Sequence, residues 1–537
     1  MKKLLGLPFA SPAVVILVAL LLLLAGLSRT PLARSTEPRV GGIATQMYLD
    51  HNYVLPQLNN QPFLEKPPLH AFLTALSFHA FGVNDFSARF VSVVAVMATL
   101  LLVLAFLQRH GFPEPVPLLA TLSLLTMAYY WSYGRLAGQD ALLTLGVVLA
   151  TLYTYEFSLV ERWQPLAAVA LGVAIAALTK GVFGIAVSTS VMFSYLAMKL
   201  LLVDGRFRFK PLFVLGVATL VGLIPLCLWL LALYHQAGWQ AFYEVVWVNS
   251  VDRFKGTYQL GGHVEHWYYY IVRIPTLFQP WLALVLFGLY LAWKRARVET
   301  FNLFLVCWLL VPFVMLTLSS SKRSEYLLSL YPAAALLLAN VYALIFRSET
   351  AARLGEFPKA TRNLLVFQGV FSLVILVACL VMARKVHHVQ TYWYGFAVMG
   401  MVGLGYAGYQ LFQGNQKKFV AGNLLAVAMA CVFYGTTYGI YESAQRSEAK
   451  VFAAARAAGV DAGAAVALYR PLERLSGGAV YYLQRTMPSL NTPQQVDEFV
   501  RQHPHSVVIS EDEELTHHSG HLIKVMVKRD PYYLLQN

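Results

Sequence analysis

A chain of 537 residues has the length of three or four soluble domains, at about 100–200 residues each. Composition excludes that for most of it: 58% of the residues are hydrophobic and only 13% charged, where an ordinary soluble domain is roughly 25% charged, and the mean hydropathy is +0.57. A formal net charge of +14 would suggest nucleic acid to a soluble protein. In a polytopic membrane protein it follows from Lys and Arg gathering in cytoplasmic loops, so nucleic acid is not expected as a partner.

The first element is an apolar run over residues 12–27, preceded by Lys2 and Lys3. It is long and lacks a small-residue cleavage site, which predicts a signal anchor with the lysines inside. Further spans of about 20 residues are centred near residues 97, 125, 150, 173, 192, 222, 287, 310, 335, 373, 402 and 429. The total is about 13 spans, with the N terminus inside and the C terminus outside. The cysteines Cys227, Cys307, Cys379 and Cys431 lie far apart within these runs and read as small core residues, not disulfides or a metal site.

On this count the cytoplasmic connections carry Arg109, Arg162, Arg206, Arg208, Lys210, Lys294, Arg295, Arg297, the segment 347–362, Lys417 and Lys418. The outward connections carry charges of both signs close to span ends: Glu37 and Arg39, Glu65 and Lys66, Arg135 and Asp140, Lys180, Asp252 and Arg253, Lys322, Arg323 and Glu325. Orientation does not need them, and charge beside the bilayer is costly and usually functional. The outer face is therefore the expected active face.

Two outward connections are long. Residues 28–85 hold an amphipathic stretch at 67–82, with His70, Thr74 and His79 interrupting an apolar face, which suggests helices lying in the interface. Residues 234–280 are rich in aromatics, Trp239, Trp247 and Trp267 to Tyr270 among them, as in an interfacial belt. The expected transmembrane domain is residues 1–440, with these loops periplasmic. From residue 441 to 537 charges of both signs become frequent. A helix over 448–457, strands over 464–469 and 507–510, a helix over 493–503 between them and a further strand at 525–527 predict a small α/β domain outside the membrane. His517, His518 and His521 lack a cysteine or other clear partner and read as a solvated loop.

A transferase on an outer membrane face has no supply of nucleotide sugars, so its activated donor must arrive on a lipid; a polyprenyl-phosphate sugar satisfies this. The reaction needs a carboxylate to deprotonate or orient the acceptor, cations for the departing phosphate and an apolar groove for the isoprenoid. Glu37, Glu65 and Asp140 are the candidate acids. Arg39, Lys66, Lys180, Arg253, Lys322 and Arg323 are the candidate cations.

At these positions the sequence resembles a known family. Thr36-Glu37-Pro38-Arg39-Val40, Gln61 to Leu69 with Glu65-Lys66-Pro67-Pro68, and Phe81 to Arg89 look like the lipid-linked-sugar glycosyltransferases of the GT-C class. The likeness is above all to the bacterial aminoarabinose transferases of lipid A and the protein O-mannosyltransferase-like group. Asp140 after Arg135, Leu178-Thr179-Lys180-Gly181, Asn249 to Phe254 and Ser321 to Tyr326 leading into Tyr331-Pro332 follow in the family's order. The resemblance covers residues 30–345 and implies the α-helical GT-C fold with a small C-terminal domain. It also implies inverting transfer of a sugar from undecaprenyl phosphate to lipid A, another envelope glycan or an exported protein, at the periplasmic face of a bacterial inner membrane. Carried over, Glu37 is the acceptor base with Arg39 beside it, Glu65 and Lys66 line the site, and Asp140 orients a substrate group. Lys180, Arg253, Lys322 and Arg323 compensate phosphate charge, and Tyr326 donates a hydrogen bond.

Two departures mark a divergent member. Thr36 stands where the family commonly has an acid, and Asn249-Ser250 replaces a Glu-His pair. A divalent metal stays open as a cofactor but has no clear ligand set, and no cofactor is assigned. The alternative class is a lipid-linked-sugar flippase, but mid-membrane polar residues and an internal repeat are not evident.

Overall fold

A computed structural model describes residues 12–33, 36–252, 264–346, 358–386 and 391–537. These form two compact units. The larger comprises Met1–Ala25, Ser92–Arg135 and Gln139–Tyr438; the smaller comprises Gly26–Val91, Leu136–Gly138 and Gly439–Asn537. The expected tail boundary at 441 lies next to the last of these junctions, but the smaller unit takes in the first long loop as well.

Nine helices among the described residues are long and apolar enough to cross a membrane, and the chain is a multi-pass membrane protein. The spans expected near 125, 173 and 287 fall on the shorter helices Val116–Leu125, Gln164–Lys180 and Leu282–Arg295. Hydropathy marks an apolar run but not where its helix ends. In the larger unit, Asp140–Val160 packs along Gln164–Lys180, where a Cβ on Gly146 would lie 2.7 Å from the Ala176 nitrogen. Helices pack this closely in lipid because dispersion between small-residue faces replaces the hydrophobic drive. Three of the polar side chains inside are paired, as a medium without water favours: Trp281 Nε1 donates to Thr126 Oγ1 at 3.0 Å, Trp308 Nε1 to the Ser329 carbonyl at 3.1 Å, and Ser123 meets the Tyr342 hydroxyl at 2.9 Å. The cysteines are free.

The smaller unit begins with the Glu37–Asp50 helix, a hairpin of β1 (Gln57–Leu58) and β2 (Gln61–Pro62), and the Leu69–Phe81 helix. That last helix is the amphipathic stretch of the sequence: His70 and Thr74 are buried and His79 is exposed. The rest of the unit is a five-stranded sheet of order β4-β3-β5-β7-β6, from β3 (Ala465–Tyr469), β4 (Ser489–Leu490), β5 (Ser506–Ser510), β6 (His521–Val527) and β7 (Asp530–Gln536). β4, β3 and β5 are parallel; β7 and β6 are antiparallel additions. Helix Glu473–Leu483 and strands β4 and β7 were absent from the sequence reading. The helix carries two adjacent glycines, Gly477 and Gly478, which argue against helix on propensity.

Those glycines have a packing reason. The Glu473–Leu483 helix crosses Glu37–Asp50 so closely that a Cβ on Gly42 would lie 2.6 Å from Gly477 backbone, and one on Gly477 would lie 2.5 Å from the Pro38 carbonyl. Tyr481 joins Leu32, Ile43, Met47, Ala71 and Phe78 in one apolar core. At the hairpin tip, Asn59 has φ 53°; its side chain donates to the Met487 carbonyl at 2.9 Å and accepts from the Met487 N–H at 2.8 Å. First loop and tail are thus one folded body.

Candidate active site

In the smaller unit, Glu37 opens its helix and is 1% exposed. Oε1 accepts from Arg89 Nε at 2.7 Å and the Ala137 N–H at 2.9 Å; Oε2 accepts from Arg89 Nη2 at 2.9 Å and the Ala33 N–H at 3.0 Å. Arg89 spends its other donors on the carbonyls of Leu27, Thr30 and Pro31. This is a bidentate pair with every partner supplied by the protein. The assignment of Glu37 as acceptor base does not fit this geometry: four protein donors occupy the buried carboxylate and leave no oxygen turned toward a substrate hydroxyl. Sequence reasoning quoted Arg89 within its motif without giving it a role; a Glu and an Arg on separate helices show no spacing signal for such a pair.

Arg39, two residues further and so on the opposite side of the helix, points elsewhere. Its Nη1 lies 3.2 Å from Glu65 Oε2 and 2.7 Å from Glu473 Oε2, with its guanidinium 5.3 Å from the Phe63 ring centroid. Lys66 stands 3.8 Å from the same Glu65 oxygen. The structure thus brings Arg39, Glu65 and Lys66 together, and Glu473 adds a second carboxylate that sequence reasoning missed. Glu473 lies more than 400 residues away, outside the stretch covered by the resemblance.

In the larger unit, Asp140 begins the Asp140–Val160 helix and Lys180 ends Gln164–Lys180. Their Oδ1 and Nζ are 2.5 Å apart. An acid at a helix N terminus and a cation at a C terminus are each favoured by the helix dipole. Gly181 has φ 56°, the left-handed conformation that costs glycine least. It lets the chain turn sharply into Val182–Met198 and leaves Lys180 over the rings of Tyr326, 4.6 Å to centroid, and Phe183, 5.1 Å. Aromatic faces hold a cation in place without neutralising it.

The Lys322 ammonium is buried, donating to the Glu265 carbonyl at 3.1 Å and to the Ser319 carbonyl. Burial lowers its pKa from the ordinary lysine value, opposed by the Glu265 charge. Arg323 pairs with Glu325, which also accepts from the Tyr133 hydroxyl at 3.4 Å. Tyr270 pins the segment, donating to the Arg323 carbonyl at 3.0 Å and accepting its N–H at 3.2 Å. Arg273, unassigned from sequence, donates to Ser324 Oγ at 3.0 Å. Asp140, Lys180 and Tyr326 therefore form one group, with Arg323 and Glu325 on the turn that carries Tyr326. Arg253 lies outside the described residues.

Among the described residues no group of three or more His, Cys, Asp or Glu could hold a metal ion. His518 of the tail is held by Asp497, with 2.7 Å between Nδ1 and Oδ1.

Chemically, the larger unit offers a carboxylate engaged through one oxygen and cations at the same helix ends. The smaller unit offers an acid between two cations. The chain is similar to known proteins in sequence and in fold. The family model described as dolichyl-phosphate-mannose-protein mannosyltransferase matches residues 65–229. An undecaprenyl phosphate-alpha-4-amino-4-deoxy-L-arabinose arabinosyl transferase of Aeromonas hydrophila is 26% identical over 408 residues, 74% of this chain and 70% of that protein. A second such transferase, from Proteus mirabilis, is 27% identical over 311 residues, 57% of this chain and 54% of its own length, so the matched segment spans about half of that relative. ArnT of Cupriavidus metallidurans, in a crystal structure bound to undecaprenyl phosphate, superposes with a TM-score of 0.70 over 97% of both chains at 16% identity. The fold is shared throughout, tail included.

Proposed function

We propose that this chain, an aminoarabinose-transferase-like member of the GT-C glycosyltransferases, transfers a sugar from a polyprenyl phosphate to an envelope acceptor. The acceptor hydroxyl oxygen attacks the anomeric carbon, the bond from that carbon to the phosphate oxygen breaks, and the configuration inverts. The hydroxyl proton passes to a carboxylate, and the polyprenyl phosphate departs as an anion. Asp140 is the carboxylate we assign to the proton, since one of its oxygens is engaged by Lys180 and the pair sits at helix ends rather than in a core. Lys180, Lys322 and Arg323 supply positive charge toward the phosphate, where donors already in place cost no reorganisation during reaction. Arg253 is assigned to the same task from sequence alone. Tyr326 fixes Lys180 and offers a hydroxyl. Glu65, Arg39 and Lys66 serve the substrates, and Glu37 serves the scaffold.

The donor is undecaprenyl phosphate-linked by analogy with the relatives' names, and the acceptor is lipid A, another envelope glycan or an exported protein. The site would face the periplasm, with the N terminus cytoplasmic and the tail periplasmic in a bacterial inner membrane. The Asp140–Lys180–Tyr326 group carries the reading. It is tested by mass spectrometry of lipid A, envelope glycans and exported proteins from cells with the wild-type gene, a deletion and Asp140→Asn. A mass of one sugar present only in the wild type supports it. The same sugar in the Asp140→Asn strain at wild-type level removes Asp140 as the base.

A further inference from the structure

Three helices of the larger unit carry none of the candidate site residues: Pro358–Ala383, Tyr394–Phe412 and Gln416–Thr436. At one end they close, with Leu376, Cys379, Ala383, Ala397, Ala430 and Phe433 forming a core. At the other end they part around a groove of about 370 Å³. Val366, Val370, Leu373, Leu404 and Phe419 line its walls, Gly408 leaves its floor open, and Arg362 stands at its rim. A Cβ on Gly408 would meet nothing within 4 Å.

Among the described residues, charge at this end is one-sided. Residues 358–383 and 394–436 contain no aspartate or glutamate. Arg362 is exposed and has no hydrogen-bond or ion-pair partner among the described residues. Lys417 and Lys418 open the neighbouring helix, Lys417 meeting the Phe346 carbonyl at 3.3 Å and its ring at 5.6 Å. An apolar groove in a membrane protein is bathed in acyl chains, and any lipid wets it. The exposed Arg362 guanidinium at its rim adds a preference for net negative charge: Arg pairs phosphate through a planar fork of donors, and in a zwitterionic lipid the headgroup's own cation offsets that attraction.

We infer that this groove is a binding site for a phospholipid of net negative charge, one acyl chain lying along Val366, Val370 and Leu373 and the headgroup phosphate on Arg362. The site is separate from the transfer chemistry, and its test does not depend on it. Lys417 and Lys418 attract the lipid to this end; Arg362 selects it.

Native mass spectrometry of the full chain in mild detergent, with equimolar dioleoyl phosphatidylglycerol and dioleoyl phosphatidylcholine, reads the preference directly. The wild type should retain phosphatidylglycerol over phosphatidylcholine by about fivefold, the worth of one basic contact near a membrane surface. Arg362→Gln should bring the ratio to about one while leaving phosphatidylcholine retention unchanged. Gly408→Leu, which fills the floor without meeting backbone, should lower retention of both lipids. Equal retention by the wild type, a preference that survives Arg362→Gln, or a Gly408→Leu chain that still holds both lipids would each overturn the site. Both substitutions lie at exposed positions, so loss of the fold does not obscure the result.

Discussion

Two carboxylates open helices in this chain, Glu37 in the smaller unit and Asp140 in the larger, and each meets a basic side chain. Glu37 accepts four hydrogen bonds and is 1% exposed. Among the described residues Asp140 pairs through Oδ1 alone, and its side chain is 14% exposed. In sequence the two look alike: an acid at the outer end of an expected span, with a basic residue nearby, Arg39 for Glu37 and Arg135 for Asp140. The difference between them lies in how many donors the fold delivers to each. A carboxylate whose lone pairs are all taken fixes chain segments; one with an oxygen to spare can exchange a proton.

Substitutions can break this contrast. The largest effect belongs to the saturated pair. Arg89→Leu leaves a buried, unpaired Glu37, which costs about 3–5 kcal/mol, and the smaller unit should be lost, seen as degraded or aggregated protein on size-exclusion chromatography. Glu37→Gln should also destabilise, by a smaller amount, against the sequence-based expectation of an intact inactive protein. Asp140→Asn should show the reverse: normal yield and melting temperature, with transfer reduced about 100-fold or more in a single-turnover assay. If the two variants exchange phenotypes, the assignment of scaffold and chemistry must be exchanged as well.

Gly477→Val comes next, since its branched side chain meets the Pro38 carbonyl and Arg39 backbone. Overpacking of this kind costs about 1–3 kcal/mol, measurable as a lowered melting temperature. Glu473→Gln sharpens the comparison at smaller scale. Its carboxylate is largely exposed, 59%, so its worth to stability is below about 1 kcal/mol, yet it holds Arg39 beside Glu65. Transfer should fall severalfold with unchanged melting; unchanged transfer would limit Glu473 to a surface contact.

The smallest effect is a pH effect in the tail. Burial lifts the Glu511 pKa above the ordinary carboxylate value, with Tyr532 and Arg474 opposing, and its Oε2 has no hydrogen-bond partner. A raised acid is favoured in its protonated form when folded, so its cost is absent below the unfolded pKa and grows as pH rises toward the folded one. Glu511→Gln should therefore stabilise by up to about 1 kcal/mol at neutral pH and by nothing near pH 4. Thermal melts across that window check the sign.

Much of this architecture was legible in the residues. Apolar runs separated by basic loops gave a polytopic chain, and the Glu65-Lys66 and Lys180-Gly181 motifs pointed to groups that the fold does bring together. Strands over 464–469 and 507–510 were visible as short apolar runs and became the centre of the sheet. What escaped were relations between distant segments. Nothing near Glu37 announces Arg89 as its partner, and nothing near Arg39 announces Glu473. Gly477 and Gly478 read as helix breakers because propensity is local, whereas their use is to admit another helix. Helix ends escaped too, since hydropathy blurs a boundary over several residues.

The crossing of Gly42 with Gly477 carries a consequence for biogenesis. The first loop leaves the ribosome early, yet the surface it folds against is made last, after every span between them has been threaded into the membrane. Until then Glu37–Asp50 lacks its neighbour, and Arg39 and Glu65 lack the contact that orders them. A chain stalled or clipped before residue 439 would keep its membrane helices but leave this loop without its counterpart. The order of synthesis thus sets when this body can fold: the loop packs only after the Glu473–Leu483 helix has followed it across the membrane.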